Sequence, residues 1–201
     1  MPEQPNFCGL ASGFWLRSVA MEIKVSGFGG QGIIRIGMIL GKAAALNDNK
    51  SATLTQSFGP EARGGACSAQ LVVSDTEILY PYLTVPDILI AMSQEAYEKF
   101  EPELKDGGIL LIEEDLVQPH PVRGNIKQYS ITATRIAEKL GNRLYANFVM
   151  VGFIVAITKL VPKQALLDAV PGTVPDRLLA KNIEALEQGF AIGEQQLAET
   201  K

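Results

Sequence analysis

The sequence predicts a three-layer α/β/α domain with a mostly parallel sheet and a helical C-terminus. Three observations carry that expectation. Strand-like and helix-like stretches alternate through the first 140 residues, two short apolar runs (DILIAM and ILLI) have the look of strands covered on both faces, and everything from Ala146 onward is helical in pattern. Met21 to Ser26 alternates apolar and polar residues, and the turn GFGGQG then leads into the apolar-periodic stretch IIRIGMILGKAAAL. Ser51 to Ser57 is β-branched enough for a second strand, the Pro- and Gly-punctuated segment FGPEARGG follows, and Cys67 to Val73 resumes strand character. The polar turn Ser74-Asp75-Thr76 before Glu77 to Leu79 predicts a short hairpin, which would make the sheet mixed.

After the strand Asp87 to Met92, Ser93 is placed to cap a helix over QEAYEKFEPEL by accepting an orphan backbone N–H. Ile109 to Ile112 and Lys127 to Ile131 read as further strands, and a helix over Thr132 to Leu140 ends at Gly141. Three helices close the chain: a hydrophobic one from Ala146 to about Leu160, one opened by Pro162 that runs to Val170, and an amphipathic one from about Asp176 to Leu197.

With 201 residues the length favours one domain, residues 21–201, preceded by an extension over 1–20. Apolar residues at 47% and charged residues at 20% are ordinary globular usage and exclude a disordered chain. The net charge of −4 leaves no positive excess to neutralise phosphates, so nucleic acid is not the expected partner. Only Cys8, Cys67 and His120 could act as soft metal ligands, too scattered for a zinc site or an iron–sulfur cluster. Two cysteines 59 positions apart fit a reduced cytoplasmic protein better than a disulfide scaffold. The first twenty residues lack the basic start and apolar run of a signal peptide, and Met21 is an alternative start. The uncharged stretch from Leu144 to Thr158 spans 15 residues, short of the roughly 18 to 20 that cross a bilayer, and is expected to be a buried helix rather than a membrane anchor.

Gly27-Phe28-Gly29-Gly30-Gln31-Gly32 satisfies G-x-G-x-x-G between a strand and a helix, where backbone N–H groups can meet a phosphate. A dinucleotide site also wants an acid at the end of the second strand, and here that strand ends in Thr55-Gln56-Ser57, with Asp48 at the wrong end. Two readings stay open: a turn that merely allows close helix–strand packing, or contact with a ligand or a partner's cofactor. The lysine and hydroxyl of a P-loop are missing, which disfavours nucleoside triphosphate hydrolysis. In the second unusual segment, Glu61-Ala62-Arg63-Gly64-Gly65, the Arg63 fork can grip a carboxylate or phosphate, or simply pair with Glu61. In an open α/β sheet both segments would share the rim at the carboxyl ends of the strands. His120 reads as a surface residue, Cys67 as a small core residue, and Glu113-Glu114-Asp115 as a solvated acidic loop.

Val25 to Gly32, followed by Gln56 to Gly65, resembles the gamma subunit of 2-oxoacid:ferredoxin oxidoreductases. The similarity continues through Pro86 to Tyr97 and the Ala146-Asn147 pair, covering about Met21 to Leu197, and the wording Met92-Ser93-Gln94-Glu95-Ala96-Tyr97 is more like 2-oxoglutarate synthase than pyruvate synthase. The resemblance implies a Rossmann-like module of a multi-subunit enzyme that decarboxylates a 2-oxoacid, passes the acyl group to coenzyme A and reduces ferredoxin, or runs in reverse. It implies alpha, beta and ferredoxin-like delta subunits as partners. The chain has no G-D-G…N pattern and no clustered cysteines, so thiamine diphosphate, magnesium and the iron–sulfur clusters fall to those partners, and no catalytic residue or metal ligand is expected here. The expected ligand or interface residues are Gly27, Gly29, Gly30, Gln31, Gly32, Glu61, Arg63, Gly64 and Gly65. The alternative is a free-standing Rossmann-like nucleotide-binding oxidoreductase.

Overall fold

Alternation along β1 (Met21–Phe28) sends Ile23 and Val25 to one face of a sheet and Lys24 and Ser26 to the other, and the two faces are covered very differently. A computed structural model describes residues 20–57 and 66–200. One six-stranded sheet has the order β2-β3-β1-β4-β5-β6, the other strands being β2 (Ser51–Ser57), β3 (Ala66–Ser74), β4 (Ile88–Ala91), β5 (Ile109–Glu113) and β6 (Lys127–Ile131). From β1 through β4 and β5 to β6 the pairing is parallel, whereas β3 runs antiparallel to both of its neighbours, β1 and β2. The sheet is therefore mixed.

Its mixed character does not come from a hairpin at Ser74-Asp75-Thr76. Glu77 to Leu79 lies in no strand, and Leu79 is among the most exposed apolar side chains. The antiparallel partner of β3 is β2, because Leu54 and Ala52 on β2 and Leu71 and Ala69 on β3 share one buried face, whereas residues 77–79 have no such face to pair with.

The larger core packs α1 (Ile33–Lys42), α3 (Ala133–Lys139), α4 (Ala146–Thr158), α5 (Lys163–Ala169) and α6 (Asp176–Glu199) against that face. Among the described residues the opposite face carries α2 (Gln94–Phe100) as its one helix of the α type, with Leu104, Val117 and Ile126 from the segments between elements. Three layers are present, but unequal ones. Helix α1 passes into a π-helical turn at Ala43–Asn47. The helix expected through Leu104 stops at Phe100, and a 3₁₀ turn containing Pro102 follows, since proline cannot continue the ladder. Ser93 Oγ does cap α2, accepting the Ala96 N–H at 3.3 Å. Helix α4 is buried from Ala146 to Ile157, which explains its uniformly apolar sequence: sheet on one side, α6 on the other. No helix among the described residues is long and apolar enough to cross a membrane.

After β1 the chain passes through α1 to β2 on one side, and after β4 it passes through α2 to β5 on the other. The carboxyl ends of β1 and β4 thus flank the point where the winding reverses, the crevice in which open α/β sheets hold ligands.

Candidate functional site

At that crevice β1 continues two residues further than its apolar alternation foretold, so Gly27 lies in the strand, paired with Cys67, rather than in the turn. A methyl at Gly27 would sit 2.7 Å from Ile33 Cδ1 and 3.1 Å from Met92 Cβ, so this glycine serves close helix–strand packing. Gly30 and Gly32 take left-handed backbone angles, with φ of +97° and +81°. Gln31 bends back on the protein: its Oε1 accepts the Phe28 N–H at 2.7 Å and its Nε2 donates to the Met92 carbonyl at 2.7 Å. It fastens the end of β1 to the end of β4 and holds the turn open.

Gly32 is the N-cap of α1, and no side chain caps the helix; no acid lies in its first turn either. The first-turn N–H groups and the positive end of the helix dipole therefore face the crevice without a compensating charge from α1. At Gly29 and Gly30 an added methyl would meet nothing within 4 Å among the described residues, which leave the space over the turn open. Packing is seen at Gly27, whereas among the described residues Gly29 and Gly30 have open space and Gly32 is met by the Asn147 amide.

The second unusual segment, with Glu61, Arg63, Gly64 and Gly65, lies outside the described residues. The strand ends that flank it do reach the same rim: Ala66 pairs with Phe28, and Ser57 with Ser68.

Beside the turn is a cavity of about 180 Å³ whose walls include Gly30, Gln31, Met92, Thr134, Arg143 and Ala146. Arg143 at its edge pairs with Glu138 at 3.2 Å, both well exposed, an ion pair weak enough to be exchanged for a ligand's charge. A larger open groove of about 720 Å³ runs along β6 and the end of α6. It lies three strands from β1 and away from the winding reversal, and the Gln196 amide already donates to the Ser130 carbonyl there at 2.7 Å.

Sequence reasoning missed two side chains of this rim. Asn147, in the first turn of α4, is only 5% exposed and presses its amide end against Gly32, with its Cγ 3.1 Å from where a Gly32 methyl would be. A lone asparagine opening an otherwise apolar helix, ANFVMVGFIVAI, was the available signal. Glu113 is no part of a solvated loop: it ends β5, is fully buried, and accepts the Thr134 N–H through Oε1 at 2.9 Å, while Glu114 and Asp115 are the exposed members of the run. Burial pushes the Glu113 carboxyl up from its ordinary value, partly offset by the hydrogen bonds from Thr134. Cys67 is buried in β3 and burial raises its thiol, the profile of an inert core residue. His120 is exposed, its N–H bonded to the Tyr97 hydroxyl.

The strand beside β1 bears on the nucleotide-binding alternative. A dinucleotide fold reads its ribose from the parallel strand next to the first, but that place is held by antiparallel β3, and the end of β2 is two strand spacings away, about 9 to 10 Å. A sequence-family model described as pyruvate ferredoxin/flavodoxin oxidoreductase matches residues 22–192. The chain belongs to that family. It is 44% identical over 176 residues to the 2-oxoglutarate synthase subunit KorC of Methanocaldococcus jannaschii, covering 87% of this chain and 94% of that one. Among solved structures it is similar to the keto/oxoacid ferredoxin oxidoreductase gamma subunit of Geobacter sulfurreducens, with a TM-score of 0.77 and 38% identity over 86% of this chain and 98% of that one. The same fold recurs in the 2-oxoglutarate:ferredoxin oxidoreductase of Magnetococcus marinus, solved with 2-oxoglutarate, coenzyme A and succinyl-CoA bound. There the TM-score is 0.78 at 23% identity, and the match covers 88% of this chain but 31% of the longer one. The same fold thus occurs both as a separate chain and as part of a longer one.

Proposed function

We propose that this chain is the gamma subunit of a 2-oxoglutarate synthase and that its glycine turn forms part of the path of coenzyme A to the acyl group. The near end-to-end match to KorC supports the choice of oxoacid. The open, uncapped turn at the winding reversal supports the ligand. In this reading alpha and beta subunits bring thiamine diphosphate and magnesium, where the oxoacid loses carbon dioxide, and a ferredoxin-like delta subunit brings iron–sulfur clusters that pass electrons to ferredoxin. The sparse cysteines support a cytoplasmic enzyme.

Coenzyme A, when bound, supplies the thiol that takes the acyl group. The N–H groups of the first turn of α1 would hold a phosphate, with Arg143 at the cavity edge adding a positive charge. Gln31, a wall of the cavity, keeps the turn in shape through both ends of its side-chain amide. Arg63, with Glu61, Gly64 and Gly65, would contact a partner subunit or the coenzyme.

Gly29→Ala tests the reading. A methyl at Gly29 meets none of the described residues and its backbone needs no left-handed angle, so the fold should stay intact while the methyl intrudes on the space over the turn. The expected result is a raised apparent KM for coenzyme A in a complex that purifies in normal yield. Unchanged coenzyme A kinetics defeats the ligand role of the turn, and failure to co-purify wild-type chain with thiamine-binding subunits defeats the subunit role. For Arg63, the Ala variant should cost assembly or turnover by about 2 to 5 kcal/mol if the charge is desolvated in the complex, and Lys should rescue only a simple charge effect.

A further inference from the structure

Four of the nine large hydrophobic side chains left exposed among the described residues fall within seven positions of one loop: Leu79, Tyr80, Tyr82 and Val85. Leu79 is 87% exposed and Tyr80 64%, and the two tyrosine rings meet edge to face with centroids 5.7 Å apart. Scattered apolar side chains are ordinary on a protein surface, whereas a cluster of this kind marks an interaction site. The loop is also held in place. Near its start the Ser74 hydroxyl accepts the Thr76 N–H at 3.1 Å, and near its end the Glu22 carboxylate accepts the Thr84 and Val85 N–H groups at 2.6 and 2.8 Å. A pre-set loop loses little freedom on docking, and tyrosines supply contact area at low entropic cost. Val73 and Ile88, beside the two ends of the loop, pair with Met21 and Ile23 at the amino end of β1. The loop thus lies at the end of the sheet opposite the glycine turn, β1 spanning about 23 Å between them.

Charge around the loop selects the partner. No Lys or Arg occurs between Arg63 and Lys99, and Asp75 and Glu77 are exposed at the start of the loop. Lysines on neighbouring segments already have acids of their own: Lys50 pairs with Asp48 at 2.9 Å, Lys159 with Glu194 at 3.7 Å and Lys105 with Asp87 at 2.6 Å. The aromatic centre therefore has an acidic margin. A two-fold contact with a second copy of the chain would set one acidic margin against another. We propose that the loop 75–86 is a docking surface for a neighbouring subunit of the same enzyme, one with an apolar patch that receives Leu79, Tyr80 and Tyr82 and with Lys or Arg at the edge that faces Asp75 and Glu77. An apolar, tyrosine-rich centre within a polar rim is the usual anatomy of such a contact. The proposal rests on the subunit reading above and puts this contact at the far end of β1 from the glycine turn.

The test compares the isolated chain with the assembled enzyme by hydroxyl-radical footprinting, and measures the binding of this chain to the remaining subunits by surface plasmon resonance. Tyr80 and Tyr82 should be oxidised in the isolated chain and protected in the complex. Tyr80→Ser combined with Tyr82→Ser should weaken binding at least about thirtyfold, the loss of an aromatic hot spot. Melting of the free variant should stay within about 2 °C of wild type, since exposed side chains hold little of the fold. Asp75→Lys combined with Glu77→Lys should slow association at low salt, and the difference from wild type should vanish at high salt. Tyrosines that stay reactive in the complex, or a serine variant that binds as tightly as wild type, overturn the proposal and leave the subunit reading standing. Unaltered association of the lysine variant overturns the basic edge assigned to the partner. Protection already present in the isolated chain also overturns the proposal: if it fades on dilution the occupant is a second copy, and if it fades when residues 1–19 are removed the occupant is that segment. A wild-type chain that binds none of the other subunits overturns the subunit reading along with the proposal.

Discussion

Helix α4 belongs to two glycine-rich regions built for opposite ends. Its first turn lies beside the glycine turn, next to Gly32, while its middle crosses α6. At the crossing, a methyl on Gly152 would overlap the Leu186 carbonyl oxygen and lie 2.9 Å from Phe190 N, and one on Gly189 would overlap the Val149 carbonyl and lie 2.7 Å from its carbon. Backbone meets backbone there, and no side chain can turn aside. At the rim, among the described residues, Gly29 and Gly30 face empty space and the buried Asn147 Oδ1 and Glu113 Oε2 have no hydrogen-bond partner. The same residue type thus closes one region and keeps the other open. The closed one carries stability and the open one is available for binding, which turns the contrast into a ranking of substitutions.

The largest effect belongs to the crossing. Overpacking a core costs about 1 to 3 kcal/mol where side chains can adjust; two facing backbones cannot, so Gly152→Ala and Gly189→Ala should each cost at least about 3 kcal/mol. For a chain of this length that is a drop of about 6 to 12 °C in melting temperature, measurable by calorimetry, with poor recovery of the complex. A drop below about 2 °C would mean that the helices can separate cheaply, and the contrast with the rim would lose its stronger half.

Gly32→Ala comes next and joins the two regions. A left-handed φ of +81° costs a side chain about 1 to 2 kcal/mol, and the methyl also displaces the Asn147 amide, which can yield because it is the free end of a side chain. The expected outcome is a folded, assembling subunit whose melting temperature falls by only a few degrees but whose coenzyme A affinity falls sharply. Stability loss as great as that of Gly152→Ala would place Gly32 with the packing glycines instead.

This difference explains what the sequence could and could not announce. Strand β4 and strand β5 were legible because continuous apolar runs admit few other fates, and α4 because its sequence is apolar on every side. The turn was legible from glycines between a strand and a helix, and its place at the carboxyl end of β1 followed from the order of the elements. The place of β3 was not legible: whether a strand after a loop returns beside β2 or inserts between β2 and β1 depends on pairing across the sheet, which local pattern does not encode. Nor was the split among the glycines. Gly27 and Gly29 are two residues apart in one motif, and the positions of Gln31, Ile33 and Met92 tell the packed one from the open one. Glu113 was lost for a related reason, since an acidic triplet reads as solvated unless one knows that its first member ends a central strand.

Glu113 offers the smallest effect and the finest check that the rim gives up stability which the crossing keeps. Its carboxyl is raised above the ordinary 4.5, chiefly by burial, so between the ordinary value and the raised one the folded state binds more proton than the unfolded chain. Stability from this group is therefore fully present below pH 4.5 and is lost as pH rises through the raised folded value. Glu113→Gln removes the titration while its side-chain oxygen still accepts the Thr134 N–H. At neutral pH the variant should melt at or a few degrees above wild type, each 1 kcal/mol being worth about 2 to 4 °C, and the two melting curves should converge as pH falls toward 4.5. Calorimetric melting of both proteins from pH 4.5 to 8 decides it. A variant less stable than wild type at neutral pH would show that the ionised carboxylate is held by a favourable contact, and that this part of the rim is as fully satisfied as the α4–α6 crossing.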